Sequence, residues 1–176
     1  MPHPLLERRG HMTAQEAVAK ARECLRTITP LEGDCGLTCS AACCRSVEGE
    51  ETGMLLFPGE EELYAQRNGW KILPAQNGKV VVCPGRCVRE ERPLSCRFFP
   101  LLPVVRDGTV RAAMDQRARV VCPLFDDGVR GLSEAFRESV RKAGRILMEA
   151  EETAKTLEEM TRQQDELKAL RKAFGA

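Results

Sequence analysis

The sequence predicts a small α+β domain that is loop-rich around a set of cysteines, with an N-terminal helix and a long C-terminal helix. Three observations lead there. Apolar residues recur at helical spacing near both ends of the chain. Two turn dipeptides, Asn77-Gly78 and Asp107-Gly108, each lie between short β-prone runs. The cysteines fall mostly between these regular segments, in stretches with neither periodicity. The expected division is a disordered leader over 1–12, a cysteine-rich metal-binding domain over 13–130, and a long helix over 131–176.

Thr13 opens the first helix, and Glu16 three residues later completes a capping-box pattern. Val18, Ala21, Leu25 and Ile28 supply its apolar face, and Pro30 ends the run. Cys24 lies beside that face and reads as a small buried hydrophobe. Cys35, Cys39 and Cys43 recur at i, i+4, i+8, so a helix through them would put all three on one face. Pro58-Gly59 introduces a short helix from Glu60 to Arg67, closed by Asn68-Gly69. Glu60, Glu61 and Glu62 suit the positive end of its dipole, which is a structural reason for them and not a catalytic one.

A first hairpin pairs Trp70–Leu73 with Lys79–Val82, and a second pairs Leu101–Val105 with Thr109–Ala113. Pro74 and Pro103 cannot donate to a ladder, so these are edge or irregular strands. The stretch 83–100 between them reads as loop. From Ser133 to Phe174 the chain is helical. Phe136, Val140, Ala143, Leu147, Ala150, Ala154 and Leu157 form a heptad-like stripe, which shifts phase through Met160, Leu167, Leu170 and Phe174. Gly144 interrupts it mildly. With so much alanine in the stripe, a helix packed on its own domain is expected over an intermolecular coiled coil.

Composition removes several function classes. Lys and Arg number 27 against 26 Asp and Glu, so the chain lacks the basic excess of a nucleic-acid binder. No apolar run approaches membrane-spanning length, and the first residues contain no signal-like apolar stretch, so a cytoplasmic protein is expected. There is no P-loop and no G-x-G-x-x-G run. The only histidines, His3 and His11, stand apart from every cysteine group, which leaves no evident Cys–His pair.

The nine cysteines carry the remaining chemistry. Apart from Cys24 they are Cys35, Cys39, Cys43 and Cys44, then Cys83, Cys87 and Cys96, then Cys122. Reduced thiols in this density point to a metal rather than to a disulfide scaffold, and their odd number fits a disulfide framework poorly. Thiolates select zinc, copper(I) or iron–sulfur clusters. Neither group contains the C-x2-C pair of a zinc knuckle, and the spread from 35 to 122 favours an iron–sulfur cluster over zinc. Side chains of adjacent helical residues diverge by about 100°. Cys43 and Cys44 are therefore expected to serve two metals, or one of them to be a neighbour of the metal and not a ligand. Eight thiols suit two four-sulfur sites or one site with spare thiols. Arg86, Arg89, Arg92 and Arg97 surround the second group and would offset the charge of a thiolate site. Pro93 fixes the backbone after Arg92, which makes Arg92, with Arg97, the candidate to hydrogen-bond sulfur around the metal.

The two groups, DCGLTCSAACCRS and CPGRCVREERPLSCRFF, together resemble a family. Four cysteines end in the vicinal pair Cys43-Cys44. Cys83 follows, and then a C-x4-R-P-x2-C-R-x-F pattern carried by Cys87, Arg92, Pro93, Cys96, Arg97 and Phe99. This is similar to the CxxCxxCC family of zinc- or iron-chelating domains, whose cysteine arrangement the flagellin lysine N-methylase shares. The resemblance spans 35–100 and extends to Cys122 if that residue matches a further downstream cysteine. It departs at its start, where this chain has C-x3-C-x3-C-C for the family's C-x2-C-x2-C-C, a difference that falls on Cys35 and Cys39. The resemblance implies chelation of zinc or iron.

Three functions are compatible with these residues. The metal centre is structural or carries electrons; or the chain is a metal-dependent enzyme resembling the methylase, with a pocket lined by Arg92 and Arg97; or it is a metal-stapled scaffold whose C-terminal helix binds a protein partner or its own copy.

Overall fold

The computed structural model describes residues 12–45, 53–85 and 87–175, so residues 1–11 of the expected leader, both histidines and Arg86 lie outside the described residues. The α+β architecture stands: the described residues form five α-helices, a three-stranded antiparallel sheet and a separate two-stranded one.

Helix α1 runs Ala14–Cys24 with the capping box in place: Glu16 N donates to the Thr13 hydroxyl and Thr13 N donates to Glu16. It buries Ala17, Val18 and Ala21, with Leu25 buried just beyond its end. The second hairpin forms as expected, β4 (Leu101–Arg106) against β5 (Thr109–Met114). Its turn residues Asp107 and Gly108 both take positive φ, 50° and 71°, as the twist of a two-residue loop requires. In the first hairpin, β2 (Lys71–Ala75) pairs with β3 (Gly78–Val82), and Ala75 faces Gly78. The loop is therefore Gln76-Asn77, one residue earlier than expected. Gly78 takes a φ of 131° on entering β3, so the glycine serves the strand entry and not the turn. A third strand, β1 (Met54–Leu56), adds to the free side of β3, leaving Pro74 on an edge strand.

Three expectations are corrected. Helix α2 covers only Cys35–Cys39 and does not continue to Cys43, because Ser40 and Ala41 both turn left-handed, at φ 52° and 54°. This helix buries no residue, so nothing apolar favours a second turn. The helix expected over Glu60–Arg67 shrinks to a 3-10 turn at Glu61–Leu63, since Glu60 is drawn into the interior instead of capping an exposed end. The stretch 83–100 is not all loop: Pro93 leads into α3 (Leu94–Phe98), which carries Cys96 and buries Leu94 and Phe98.

The C-terminal segment forms two helices, α4 (Glu134–Leu147) and α5 (Glu151–Ala173), with Ala150 extended between them. The stripe holds through Phe136, Val140, Ala143, Leu147 and Ala150, all buried. Thr153 and not Ala154 is buried next, and the face continues through Leu157, Met160, Thr161 and Gln164. Helix α4 packs on α1, β4 and β5, and α5 packs on β4. A Cβ on Gly144 would stand 2.6 Å from Pro103 Cβ and from Val110 Cγ1, so the glycine lets α4 lie directly on the hairpin. Phe136, Val140, Leu147, Leu157, Leu101, Leu102, Phe98 and Phe57 form one continuous core. The stripe is thus satisfied within the chain, while Leu170 and Phe174 at its end are exposed. No described helix is long and apolar enough to cross a membrane.

Candidate functional site

All nine cysteines are free thiols. Cys24 is half-buried against the core, as its apolar position implies, and burial pushes its thiol up. The other eight gather where α2, the loop entering α3, and the turn at 121–125 converge.

Asp34 caps α2 by accepting from Gly36 N at 2.9 Å, which orients Cys35 and Cys39 a helical turn apart. The Cys39 thiol donates to the Cys35 carbonyl at 3.8 Å. The left-handed pair Ser40-Ala41 then reverses the chain, so Cys43 returns toward them from a 3-10 turn at Ala42–Cys44. Cys122, the residue before the turn Pro123–Phe125, closes the group. A cavity of about 50 Å³ is lined by Cys35, Cys39, Cys43 and Cys122, with Cys96 in its wall. Burial pushes the Cys35 thiol up, and the charges of Asp34, Cys39 and Cys122 add to that push. Burial likewise raises Cys122, with Cys39 as its charged neighbour.

The other thiols face a different set. Loss of hydration raises Cys87, whose thiol neighbours are Cys83 and Cys44. It raises Cys96 far above the ordinary thiol range, and the neighbours there are Cys87, Cys44 and Cys83. Gly85 lies against Cys44: a side chain at Gly85 would stand 3.7 Å from the Cys44 carbonyl oxygen. Cys43 and Cys44 link the two sets, with their sulfurs 4.0 Å apart. The hydrogen bond between them raises Cys43 and lowers Cys44 to about 6, and Arg92 assists the lowering.

Arginines fix this region. Arg92 hydrogen-bonds Cys87, and the charges of Cys87, Cys44 and Asp34 outweigh the burial that opposes its own charge. Its Nε is buried and donates to no acceptor. Arg97, expected beside sulfur, is 6% exposed and commits its donors to carbonyls: Nε to Arg92 at 3.0 Å, and the two terminal nitrogens to Arg22 at 3.1 Å and Glu90 at 2.8 Å. It therefore positions Arg92 through the backbone. Arg89 bonds the carbonyls of Arg26 and Ile28, and Arg45 those of Cys39 and Ser40. These clamps tie cysteine-bearing loops together without an apolar interior.

A buried carboxylate joins the loops to the core. Glu60 is fully buried and accepts from Phe57 N, Leu94 N and the Arg22 guanidinium, each at 2.9 Å. Burial pushes its carboxyl up, while the two backbone donors and Arg22 oppose that push. Arg22 also donates to the Tyr64 hydroxyl at 3.0 Å, which in turn donates to the Glu91 carbonyl at 2.8 Å. The sequence did not single out Arg22, Arg45 or the inward role of Glu60. Glu60 stood in an acidic triplet that reads as a helix start, and its burial depends on partners 34 and 38 residues away.

The donor set suits a soft metal. All eight candidates are thiols, arginine charge stands among them, and an orphaned N–H at Arg92 is placed to serve a metal-bound sulfur. No three Cys, His, Asp or Glu side chains among the described residues stand together as an ion site. No family model, curated protein or solved structure matches this chain.

Proposed function

We propose that this chain is a metal-binding protein whose clustered cysteines hold an iron–sulfur cluster, or zinc in its place, with a structural or electron-carrying role. What carries the reading is that Cys35, Cys39, Cys43, Cys96 and Cys122, drawn from three separate segments, line one cavity with Arg92, with Cys44 in contact with Cys43 and with Cys83 and Cys87 as further thiol neighbours. Bringing so many thiols together without linking them has no packing rationale, since most are only half-buried and the loops bearing them have almost no apolar interior. The resemblance to the CxxCxxCC family supports the same chemistry. A bound metal would supply the cross-links that these loops otherwise take from arginine–carbonyl bonds.

A metal-dependent enzyme resembling the flagellin methylase would need Arg92 and Arg97 free for an anionic substrate, and the donors of Arg97 are already committed. The scaffold reading loses much of its stripe to the core, which leaves Leu170 in α5 and Phe174 just beyond its end as the exposed large apolar residues there. Anaerobic purification, a visible spectrum, and zinc, iron and acid-labile sulfide content per chain test the proposal. Iron with matching sulfide, in a brown protein, is the expected result. Stoichiometric zinc would make the centre structural, and a metal-free protein that takes up neither would overturn the reading.

A further inference from the structure

We infer that the adjacent thiols of Cys43 and Cys44 form a two-sulfur binding site for a singly substituted trivalent arsenical, of which methylarsonous acid, CH3As(OH)2, is the simplest. The site needs no third protein ligand and no bound metal, so it does not rest on the metal-binding reading.

The turn sets the pair. The divergence expected of adjacent helical side chains does not separate them: Cys43 and Cys44 lie in a 3-10 turn, and their sulfurs stand 4.0 Å apart. Ser40 and Ala41 reverse the chain just ahead, at φ 52° and 54°. Ala41 N donates to the Gly36 carbonyl at 2.9 Å, and Cys44 N to the Ala41 carbonyl at 2.9 Å. Arg45 donates to the carbonyls of Cys39 and Ser40. The two thiols are thus held side by side before a ligand arrives, which lowers the ordering cost of binding. Cys43 is exposed, so a ligand can reach it.

The same geometry selects the ligand. A disulfide between these neighbours is disfavoured. Their peptide is trans, which sets the Cα atoms about 3.8 Å apart. Disulfides ordinarily span about 4.4–6.8 Å between Cα atoms. A single bridging atom removes that conflict. Two bonds to sulfur of about 2.3 Å each, the zinc–thiolate length, reach across the gap after a small rotation of the exposed Cys43 side chain. Thiolates favour soft acceptors. Among the described residues no three Cys, His, Asp or Glu side chains stand together, so the acceptor this pair serves takes two sulfurs and brings its own third substituent. Trivalent arsenic bearing one carbon group is of this kind. Cys43 also lines the cavity of about 50 Å³, whose walls include Phe99, Val121, Pro123 and Leu124. A small apolar substituent such as methyl finds apolar contact there, where a hydroxyl would not.

The reaction is a ligand exchange. Two As–S bonds form and two As–O bonds break. Each thiol proton leaves with a hydroxyl as water, and neither arsenic nor sulfur changes oxidation state.

The test is mass spectrometry of the reduced full chain, stripped of metal and given one equivalent of methylarsonous acid in excess glutathione. One methylarsenic per chain is expected, retained against the monothiol and released by dithiothreitol. Alkylation of the remaining thiols followed by peptide mapping should find Cys43 and Cys44 protected together. Cys43→Ser and Cys44→Ser should each weaken retention by about 100-fold, the loss expected when a second attachment within one molecule is removed. Cys24→Ser should leave retention unchanged. Far-UV circular dichroism checks that each variant remains folded, and the wild-type mapping decides the matter by itself if one does not. Protection of a different thiol pair, release by glutathione alone, or undiminished retention in either folded serine variant overturns the inference. Zinc and iron content of the untreated protein judges the metal-binding reading separately, so either can fail without the other.

Discussion

The two halves of this molecule are held by different forces. The helical half, built from α1, α4, α5 and the β4–β5 hairpin, encloses Phe136, Val140, Leu147 and Leu157 at 0% exposure. The cysteine face, formed by 33–45, 83–92 and 121–125, has short helices that bury little and thiols that are half-buried or exposed. The first is held mainly by burial of apolar side chains, with Thr161 and Gln164 of α5 bonded to Val105 N and Gln116 N. The second is tied by arginine–carbonyl clamps and one buried carboxylate.

The largest expected effect lies in the helical half. Phe136→Ala removes a fully buried ring that touches the continuous core, and should lower stability by about 3–5 kcal/mol. Urea unfolding followed by circular dichroism measures it. A loss below about 1 kcal/mol would mean that the core can collapse around the gap, and the contrast between the halves would weaken.

Glu60 stands at the junction and sharpens the comparison. Glu60→Ala leaves Phe57 N and Leu94 N without acceptors and strands the Arg22 guanidinium, which is 15% exposed. Breaking a buried pair this way costs about 3–5 kcal/mol, and the lower end is expected because Arg22 keeps Tyr64 and Glu90 as partners. Because α3 loses the tie to α1 that runs through Glu60, thiol labelling at Cys96, which α3 carries, should accelerate together with the fall in stability. A variant that loses stability with unchanged labelling would show that Glu60 serves the core alone.

Removing metal should separate the halves directly. With the site loaded, hydrogen exchange in 33–45 and 83–92 is expected to slow, and chelation should restore fast exchange there while α4 and α5 stay protected. Equal loss of protection in both regions would mean that the helical half also depends on the metal.

How much of this was legible in the sequence follows the same division. The capping box at Thr13 and Glu16, the Asp107-Gly108 turn and the stripe from Phe136 to Ala150 are local patterns, and each appears where its spacing puts it. The i, i+4, i+8 spacing of Cys35, Cys39 and Cys43 was also local but misleading, because periodicity without an apolar face does not sustain a helix. The break at 148–150 was hidden because Ala150 fits the stripe by identity while its backbone is extended. Long-range pairings such as Glu60 with Leu94 or Cys44 with Gly85 leave no local trace, so the candidate residues were readable and their grouping was not.

The smallest effect concerns Tyr64, which joins the sheet-side cluster to the cysteine loop. Its ring stacks on Trp70 with centroids 4.9 Å apart, and its hydroxyl donates to the Glu91 carbonyl. Burial raises its pKa to about 12 from the ordinary value of 10.0, while the hydrogen bond from Arg22 opposes the rise. A value raised on folding means that the fold favours the protonated hydroxyl. That contribution is complete below the unfolded pKa and is lost as pH rises through about 12. The chain has one tyrosine, so its phenolate absorbance reports this site alone. A midpoint near 12 in the folded protein, falling toward 10 in denaturant, is expected. Tyr64→Phe should leave stability at neutral pH reduced by about 1 kcal/mol, the worth of one hydrogen bond, because the ring remains packed. A folded-state midpoint near 10 would place the hydroxyl in water, and the tie between the packed half and the cysteine face would then rest on Glu60 and Arg97.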